Sequence, residues 1–183
     1  MESDIQTVLV NEAQIKTRVE ELGNDISEKY REEELVLIWV QHGALLFTAD
    51  LIRNISIPLR LDCIRVSSYK GTTTPVTDPQ ILQSLNLDIE GHSVLLVDDI
   101  LDTGKTLQRV VKELEKNRPK SIETCVLLDK QTERPIVRPC DYVGFEIADQ
   151  FVVGYGLDFA ERYRHLPYIG VLKPELQNPP EWV

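Results

Sequence analysis

Short apolar runs alternate along the chain with stretches whose apolar residues recur every three or four positions. The run LVLIWV at 35–40 is followed by such a stretch at 44–55, and SVLLV at 93–97 is followed by another at 104–117. The short runs predict strands covered on both faces, while the three-and-four spacing predicts helices. A strand followed by a helix, found twice, is typical of a parallel sheet.

Further segments complete the predicted sheet. LRLDCIRVSSY at 59–69 alternates apolar and polar residues, and SIETCVLLD at 121–129 and DYVGFEI at 141–147 are also strand-like. A first helix is predicted from its cap, Asn11, to about residue 31. Its apolar face would consist of Ile15, Val19, Leu22, Ile26 and Tyr30. The pattern therefore predicts an α/β fold, doubly wound, with a mostly parallel five-stranded sheet flanked by helices.

Composition restricts the class of protein. The 183 residues suit a single domain, and the net charge of -10 argues against nucleic acid as a partner. The apolar run at 35–40 is far shorter than the roughly 20 residues that cross a bilayer as a helix, and no membrane partner is expected. The chain start lacks the pattern of a secretion signal. Cys63, Cys125 and Cys140 are odd in number and widely spaced, which predicts reduced thiols in a cytoplasmic protein rather than disulfides or a zinc site.

The segment VLLVDDILDTGKT at 94–106 carries the main chemical signal. It places Asp98, Asp99 and Asp102 where a predicted buried strand ends, the position at which ligands bind in open α/β sheets. Residues 103–106 then offer backbone N–H groups and two hydroxyls at a helix N-terminus, which suits a phosphate group. Carboxylates accept hydrogen bonds from vicinal hydroxyls. A ribose phosphate would satisfy both halves of this turn.

Three other interpretations of this turn are weaker. A Walker-type phosphate loop requires glycine where Asp99 stands. An aspartyl-phosphate receiver domain would not need the Thr-Gly-Lys-Thr segment. The third alternative is structural: Asp98 and Asp99 would cap the helix, and Asp102 would be a solvated turn residue.

The same turn resembles the phosphoribosyl pyrophosphate motif of the type I phosphoribosyltransferases. Within that family, SSY at 67–69, LLDK at 127–130 and the stretch from DYVGFEI to PYIGVL at 141–172 resemble the bacterial hypoxanthine-guanine enzymes. The resemblance implies that a 6-oxopurine and phosphoribosyl pyrophosphate react, with Mg2+, to give the nucleoside monophosphate and pyrophosphate. It also implies a homodimer or homotetramer.

The resemblance further implies roles for individual residues. Asp102 matches the proposed general base, although its role stays open between proton transfer and charge stabilisation. The phosphoribosyl group would be bound by Asp98, Asp99, Thr103, Gly104, Lys105 and Thr106. The purine would be bound by Lys130, Phe151, Val152 and Asp158. Pyrophosphate would contact His42, Gly43 and Arg164. The metal ligands would be Asp98, Asp99 and Asp158.

The resemblance also divides the chain. Residues 1–183 would form one phosphoribosyltransferase domain, with a core at about 32–145 and a small hood built from about 1–20 and 146–175. An irregular tail would follow at 174–183. Ser68 and Tyr69 would begin a mobile loop, since the Thr-rich and Pro-containing segment 70–79 has no periodicity.

Some questions stay open at this level. His42 stands where the family usually has lysine, and Asp98 where it usually has glutamate, so turnover could be inefficient and the fold could serve as a ligand sensor or regulator. Lys130 could be a surface lysine, and Phe151 a core residue. A lysine donor favours hypoxanthine, guanine or xanthine over adenine, but it does not choose among the first three.

Overall fold

The computed structural model describes residues 2–66, 79–131 and 140–177. The helices are α1 (Glu12–Lys29), α2 (Leu45–Arg53) and α3 (Lys105–Glu115). The strands are β1 (Ile5–Val10), β2 (Leu35–Gln41), β3 (Leu59–Val66), β4 (Ile81–Gln83), β5 (Ser93–Leu101), β6 (Ser121–Gln131), β7 (Tyr142–Ala148), β8 (Val152–Val153) and β9 (Ile169–Leu172). Short 3-10 helices span Glu2–Asp4 and Pro174–Leu176. The predicted positions Ser68 and Tyr69 lie outside the described residues, as does the end of the predicted tail, 178–183.

The main sheet has six described strands in the order β4-β3-β2-β5-β6-β7. The five longer strands are parallel to their neighbours, and only β4 is antiparallel, to β3. The predicted doubly wound α/β class is confirmed, but the prediction of five strands missed β4. This strand has three residues, too few to show the alternation by which a strand is predicted from sequence.

A second sheet joins the two ends of the described chain. Strand β9 lies between β1 and β8 and is antiparallel to both. None of these strands was predicted. Each has six residues or fewer, and β1 pairs with a partner about 160 residues away, which no local pattern reveals.

Apolar side chains cover both faces of the main sheet. One face packs against α1 and α2 through residues such as Leu22, Phe47 and Leu95, and the other packs against α3 through residues such as Val110 and Leu96. The predicted cap of α1 is present: the Asn11 side chain accepts from the Gln14 backbone N–H, and the Gln14 side chain accepts from that of Asn11. No helix in the described part of the chain is long and apolar enough to span a membrane.

Two strands are longer than predicted. Strand β5 continues past Val97 to Leu101 because it stays paired with β6 up to Asp129. Strand β6 continues past Asp129 to Gln131 because its last residues pair with β7. Asp98 and Asp99 therefore lie within a strand rather than after its end. Lys130 likewise belongs to a strand and not to the loop that follows.

Candidate active site

The topology of the main sheet produces a crevice between β2 and β5. The chain moves from β2 outward to β3 on one side, and from β5 outward through β6 to β7 on the other. Ligands of open α/β sheets bind at such a switch point, beyond the carboxyl ends of the strands. The segment after β2, which begins at His42, and the end of β5 with its acidic turn therefore flank one crevice.

The acidic pair at the end of β5 is held partly by its own backbone. Asp98 is buried, and its Oδ1 accepts from the backbone N–H of Asp99 at 3.0 Å. Asp99 Oδ1 accepts from the backbone N–H of Ile100 at 2.9 Å. Burial, followed by the adjacent charge of Asp99, raises the pKa of Asp98 well above its usual value, and burial also raises the pKa of Asp99. The hydrogen bonds and charges around these two carboxylates do not offset the cost of burying their charge. The pair is therefore suited to a ligand that supplies hydrogen-bond donors or a cation.

The turn after the pair leads directly into α3. Gly104 is the N-cap of α3, with a φ of 74°, and it has no side-chain cap hydrogen bond. Thr103 Oγ1 accepts from the backbone N–H of Lys105 at 3.4 Å. The capping alternative for Asp98 and Asp99 is therefore wrong, since neither side chain caps this helix. Thr106 forms part of the first turn of α3, as predicted from the sequence.

Gly43 brings the β2 side of the crevice against the acidic pair. The peptide bond between Gln41 and His42 is cis, and a Cβ added at Gly43 would lie 1.7 Å from Asp99 Oδ2. A Cβ added at Gly156 would lie 2.0 Å from the carbonyl oxygen of Gly43. Glycine at both positions lets three segments meet: the loop after β2, the end of β5 and the turn after β8.

Asp158 and Arg164 lie in that same region after β8. Arg164 Nη1 donates to the carbonyl oxygen of Gly156 at 2.8 Å, and Arg164 Nη2 lies 2.9 Å from Asp158 Oδ1. Burial raises the pKa of Asp158 despite the opposing effect of Arg164. The field of Arg164 also reaches Asp99, where it lowers the pKa and so opposes the effect of burial. Two residues predicted for different ligand groups are thus paired with each other.

Lys130 joins the acidic turn from the neighbouring strand. Its Nζ lies 2.9 Å from Asp149 Oδ1 and 3.8 Å from Asp102 Oδ2, and only 12% of its side chain is exposed. The alternative of a surface lysine is therefore wrong. The structure brings Lys130 and Asp102 together although they are distant in sequence.

Val152 begins β8, and Phe151 directly precedes it. Phe151 is half-buried, and its ring meets that of Phe159 edge-on with centroids 5.5 Å apart. Its carbonyl oxygen accepts from the backbone N–H of Leu172 at 3.1 Å. Val152 is buried, and β8 is an edge strand of the small sheet, so one side of its backbone is turned away from β9.

Two acidic residues near the site were missed from the sequence. Asp149 pairs with Lys130, and Glu161 Oε2 lies 2.9 Å from Arg164 Nη2. Both belong to the distinctive stretch 141–172, but an exposed acidic residue gives no sequence signal of its partner. Among the described residues, no cluster of three or more side chains is arranged to hold a metal ion.

Comparison with known proteins gives matches to one family over most of the chain. The family model of the phosphoribosyl transferase domain matches residues 6–160. The hypoxanthine phosphoribosyltransferase of Salmonella typhimurium is 46% identical over 165 residues, covering 89% of this chain and 93% of that protein. The hypoxanthine-guanine phosphoribosyltransferase of Bacillus subtilis is 45% identical over 174 residues, covering 95% of this chain and 97% of that protein. A crystal structure of a hypoxanthine phosphoribosyltransferase from Staphylococcus aureus matches with a TM-score of 0.89 and 42% identity, covering 96% of this chain and 95% of that one.

Proposed function

Since this chain belongs to the phosphoribosyl transferase family, we propose that its crevice carries out purine salvage with the residues described above. The protein is a purine-salvage phosphoribosyltransferase, which converts hypoxanthine or guanine and phosphoribosyl pyrophosphate to IMP or GMP and pyrophosphate. The observation that supports this assignment most is the meeting of Gly43, Asp99 and Gly156 at the switch point of the sheet. On the β5 side of this junction, the carboxylates are followed along the same turn by the N-terminus of α3.

The sugar and its phosphate are proposed to bind along the acidic turn. Asp98 and Asp99 would accept hydrogen bonds from the ribose hydroxyls. The backbone and side chains of Thr103, Gly104, Lys105 and Thr106 would surround the 5′-phosphate, which the positive end of α3 attracts. As pyrophosphate departs, positive charge develops on the ribosyl ring, so carboxylates nearby stabilise the transition state more than the ground state.

The purine is proposed to lie between the end of β6 and the small sheet. Lys130 would donate to the exocyclic oxygen, a contact that an adenine amine cannot make. Phe151 would stack on the base, and the free side of the β8 backbone at Val152 would contact its edge. Asp102 lies near Lys130, as a group acting on the purine ring must. Asp158, assigned to both the purine and the metal, would complete this side of the site.

Pyrophosphate is proposed to bind where His42, Gly43 and Arg164 converge. Gly43 has no side chain to fill the space beside Asp99, so its backbone can approach the ligand closely. Arg164 supplies a planar, permanently charged donor suited to phosphate oxygens. His42 replaces the usual lysine here, and a histidine carries less charge than lysine at neutral pH.

Magnesium fits this donor set. Mg2+ is commonly bound by one or two carboxylates together with waters and substrate phosphates, so a cluster of three protein ligands is not required. Asp98, which is buried, and the partly buried Asp99 and Asp158 would supply carboxylate oxygens to it, and burial raises the pKa of all three residues. A bound Mg2+ would neutralise charge on the departing pyrophosphate.

A direct assay tests the function. The protein is incubated with Mg2+, phosphoribosyl pyrophosphate and, separately, hypoxanthine, guanine, xanthine or adenine, and nucleotide formation is measured. We expect IMP and GMP to form and AMP not to form. Absence of nucleotide with every base would contradict the proposal and favour the alternative of a ligand sensor, which the comparisons do not favour. The cytoplasmic location and the dimeric or tetrameric state stay predictions.

A further inference from the structure

Both terminal nitrogens of Arg164 already have protein partners. Nη1 donates to the Gly156 carbonyl oxygen at 2.8 Å, while Nη2 lies 2.9 Å from both Asp158 Oδ1 and Glu161 Oε2. Nη2 donates a hydrogen bond to the Glu161 carboxylate, whereas Asp158 is held to it as an ion pair. An anion from solution that takes the Nη2 donor therefore has to replace one of these carboxylates.

The two carboxylates differ in how firmly they are held. Asp158 also accepts, at Oδ2, from the backbone N–H of Glu161 at 2.9 Å, and 29% of its side chain is exposed. The Glu161 side chain is 83% exposed. Ion pairs of such exposed groups contribute little free energy. Glu161 is therefore the partner that an incoming anion would displace.

The chain conformation directs Glu161 toward this position. Ala160 and Glu161 both adopt positive φ values, 52° and 60°, and the resulting turn closes with the hydrogen bond to Asp158. Hydrogen bonding to Arg164 lowers the pKa of Glu161, and His42 adds a smaller effect in the same direction. The carboxylate is thus bonded to Arg164 and lies within the electrostatic range of His42, the two basic residues proposed to bind pyrophosphate.

We infer that Glu161 is an internal competitor for pyrophosphate, because its carboxylate occupies a donor of Arg164, the arginine proposed to bind that ligand. This inference rests on the proposed function. In the free protein Glu161 neutralises Arg164, and bound pyrophosphate takes its place. The competition weakens the binding of a highly charged product and so assists its release, a step that limits turnover in many enzymes.

The substitution Glu161→Gln tests this role because it removes the charge and keeps the length of the side chain. We expect the Kd for magnesium pyrophosphate, measured by isothermal titration calorimetry, to fall about two- to five-fold at low salt. The gain should shrink at high ionic strength, since the competing charge is exposed and therefore screened. The KM for hypoxanthine should change much less, because the Glu161 carboxylate is bonded to Arg164, which is assigned to pyrophosphate, and the substitution keeps the backbone hydrogen bond to Asp158.

Glu20→Gln is the matched control, since it removes the same charge from an exposed position on α1. It should leave the Kd for pyrophosphate unchanged. Unchanged or weaker pyrophosphate binding by Glu161→Gln would overturn the inference, and weaker binding would show that Glu161 instead positions Arg164. A wild-type protein that binds pyrophosphate and forms IMP, while Glu161→Gln gains nothing, would overturn this inference alone. A wild-type protein that does neither would overturn the proposed function and this inference with it.

Discussion

Single residues in this site work against the stability of the fold. Asp98 and Asp99 are adjacent carboxylates, and burial raises the pKa of both. The candidate residues from Asp98 to Thr106 could be predicted together from the sequence, because the turn that carries them is continuous. The pairing of Lys130 with Asp102 and Asp149 could not, since it depends on how far β6 extends beside β7.

Asp102→Asn should affect the rate more than binding. The substitution keeps the shape of the side chain but removes its charge and its capacity to accept a proton. Turnover should fall about 10²- to 10⁴-fold, the range for loss of a general acid or base. The Kd for IMP should change little. Steady-state kinetics and calorimetry would measure the two quantities, with Asp88→Asn as a control at an exposed position. Unchanged turnover would remove Asp102 from the mechanism.

Lys130→Gln should impair recognition of the base. A hydrogen bond from a charged donor contributes about 1.5–3 kcal/mol, so kcat/KM for hypoxanthine should fall about 10- to 150-fold. The KM for phosphoribosyl pyrophosphate should change much less. Lys120→Gln is the control, because Lys120 pairs with Glu33 at 2.8 Å and precedes β6, at the opposite end of that strand. Equal losses in the two variants would contradict a specific role for Lys130.

At the scale of elements, the site depends on the contacts among three segments: the loop after β2, the end of β5 and the turn after β8. The sequence predicted β2, β5 and β6, because each contains an apolar run bounded by polar residues. It did not predict the contact of the turn after β8 with the loop after β2, since Gly156 and Gly43 are more than 100 residues apart. No local pattern encodes a contact between two backbones.

Gly156→Ala should disrupt this contact. The new Cβ would lie 2.0 Å from the Gly43 carbonyl oxygen, and the φ of 101° is unfavourable for alanine. We expect a loss of about 2–4 kcal/mol in the free energy of unfolding, measured with urea, together with weaker pyrophosphate binding.

Gly91→Ala separates the effect of the steric clash from the effect of the positive φ. Gly91 also has a positive φ, 71°, but a Cβ there would meet no atom within 4 Å. This variant should lose only about 1 kcal/mol and keep its affinity for pyrophosphate. Similar losses of stability and of binding in both variants would show that the contact with Gly43 is unimportant.

At the scale of the whole molecule, the main sheet was predictable and the small sheet was not. The parallel strands are buried on both faces, which gives apolar runs visible in the sequence. Strands β1 and β9 instead pair across nearly the full chain, so their formation depends on the rest of the fold. The stability of the whole molecule also depends on polar side chains that link separate segments. Asp62 is one of them, since it accepts hydrogen bonds from its own strand and from the segment that contains Asn86 and Leu87.

Asp62→Asn should destabilise the protein at neutral pH. Asp62 is buried in β3, and Oδ2 accepts from the backbone N–H groups of Asn86 and Leu87 at 2.6 Å and 2.9 Å. Oδ1 accepts from that of Cys63 at 2.8 Å. An amide would turn a donor toward one of these donors, so we expect a loss of about 2–3 kcal/mol in the free energy of unfolding.

The loss should depend on pH. Burial opposes ionisation of Asp62, but the hydrogen bonds from Leu87, Cys63 and Asn86 outweigh it, so the folded-state pKa is lowered. The carboxylate therefore stabilises the fold fully above its unfolded-state pKa, near 3.9, and loses this contribution as pH falls through the folded-state value. Urea unfolding at pH 7 and pH 3 should show the difference between wild type and Asp62→Asn shrinking at the lower pH. Asp25→Asn, at an exposed position on α1, should show little loss at either pH, and a pH-independent loss in Asp62→Asn would contradict the charge-based explanation.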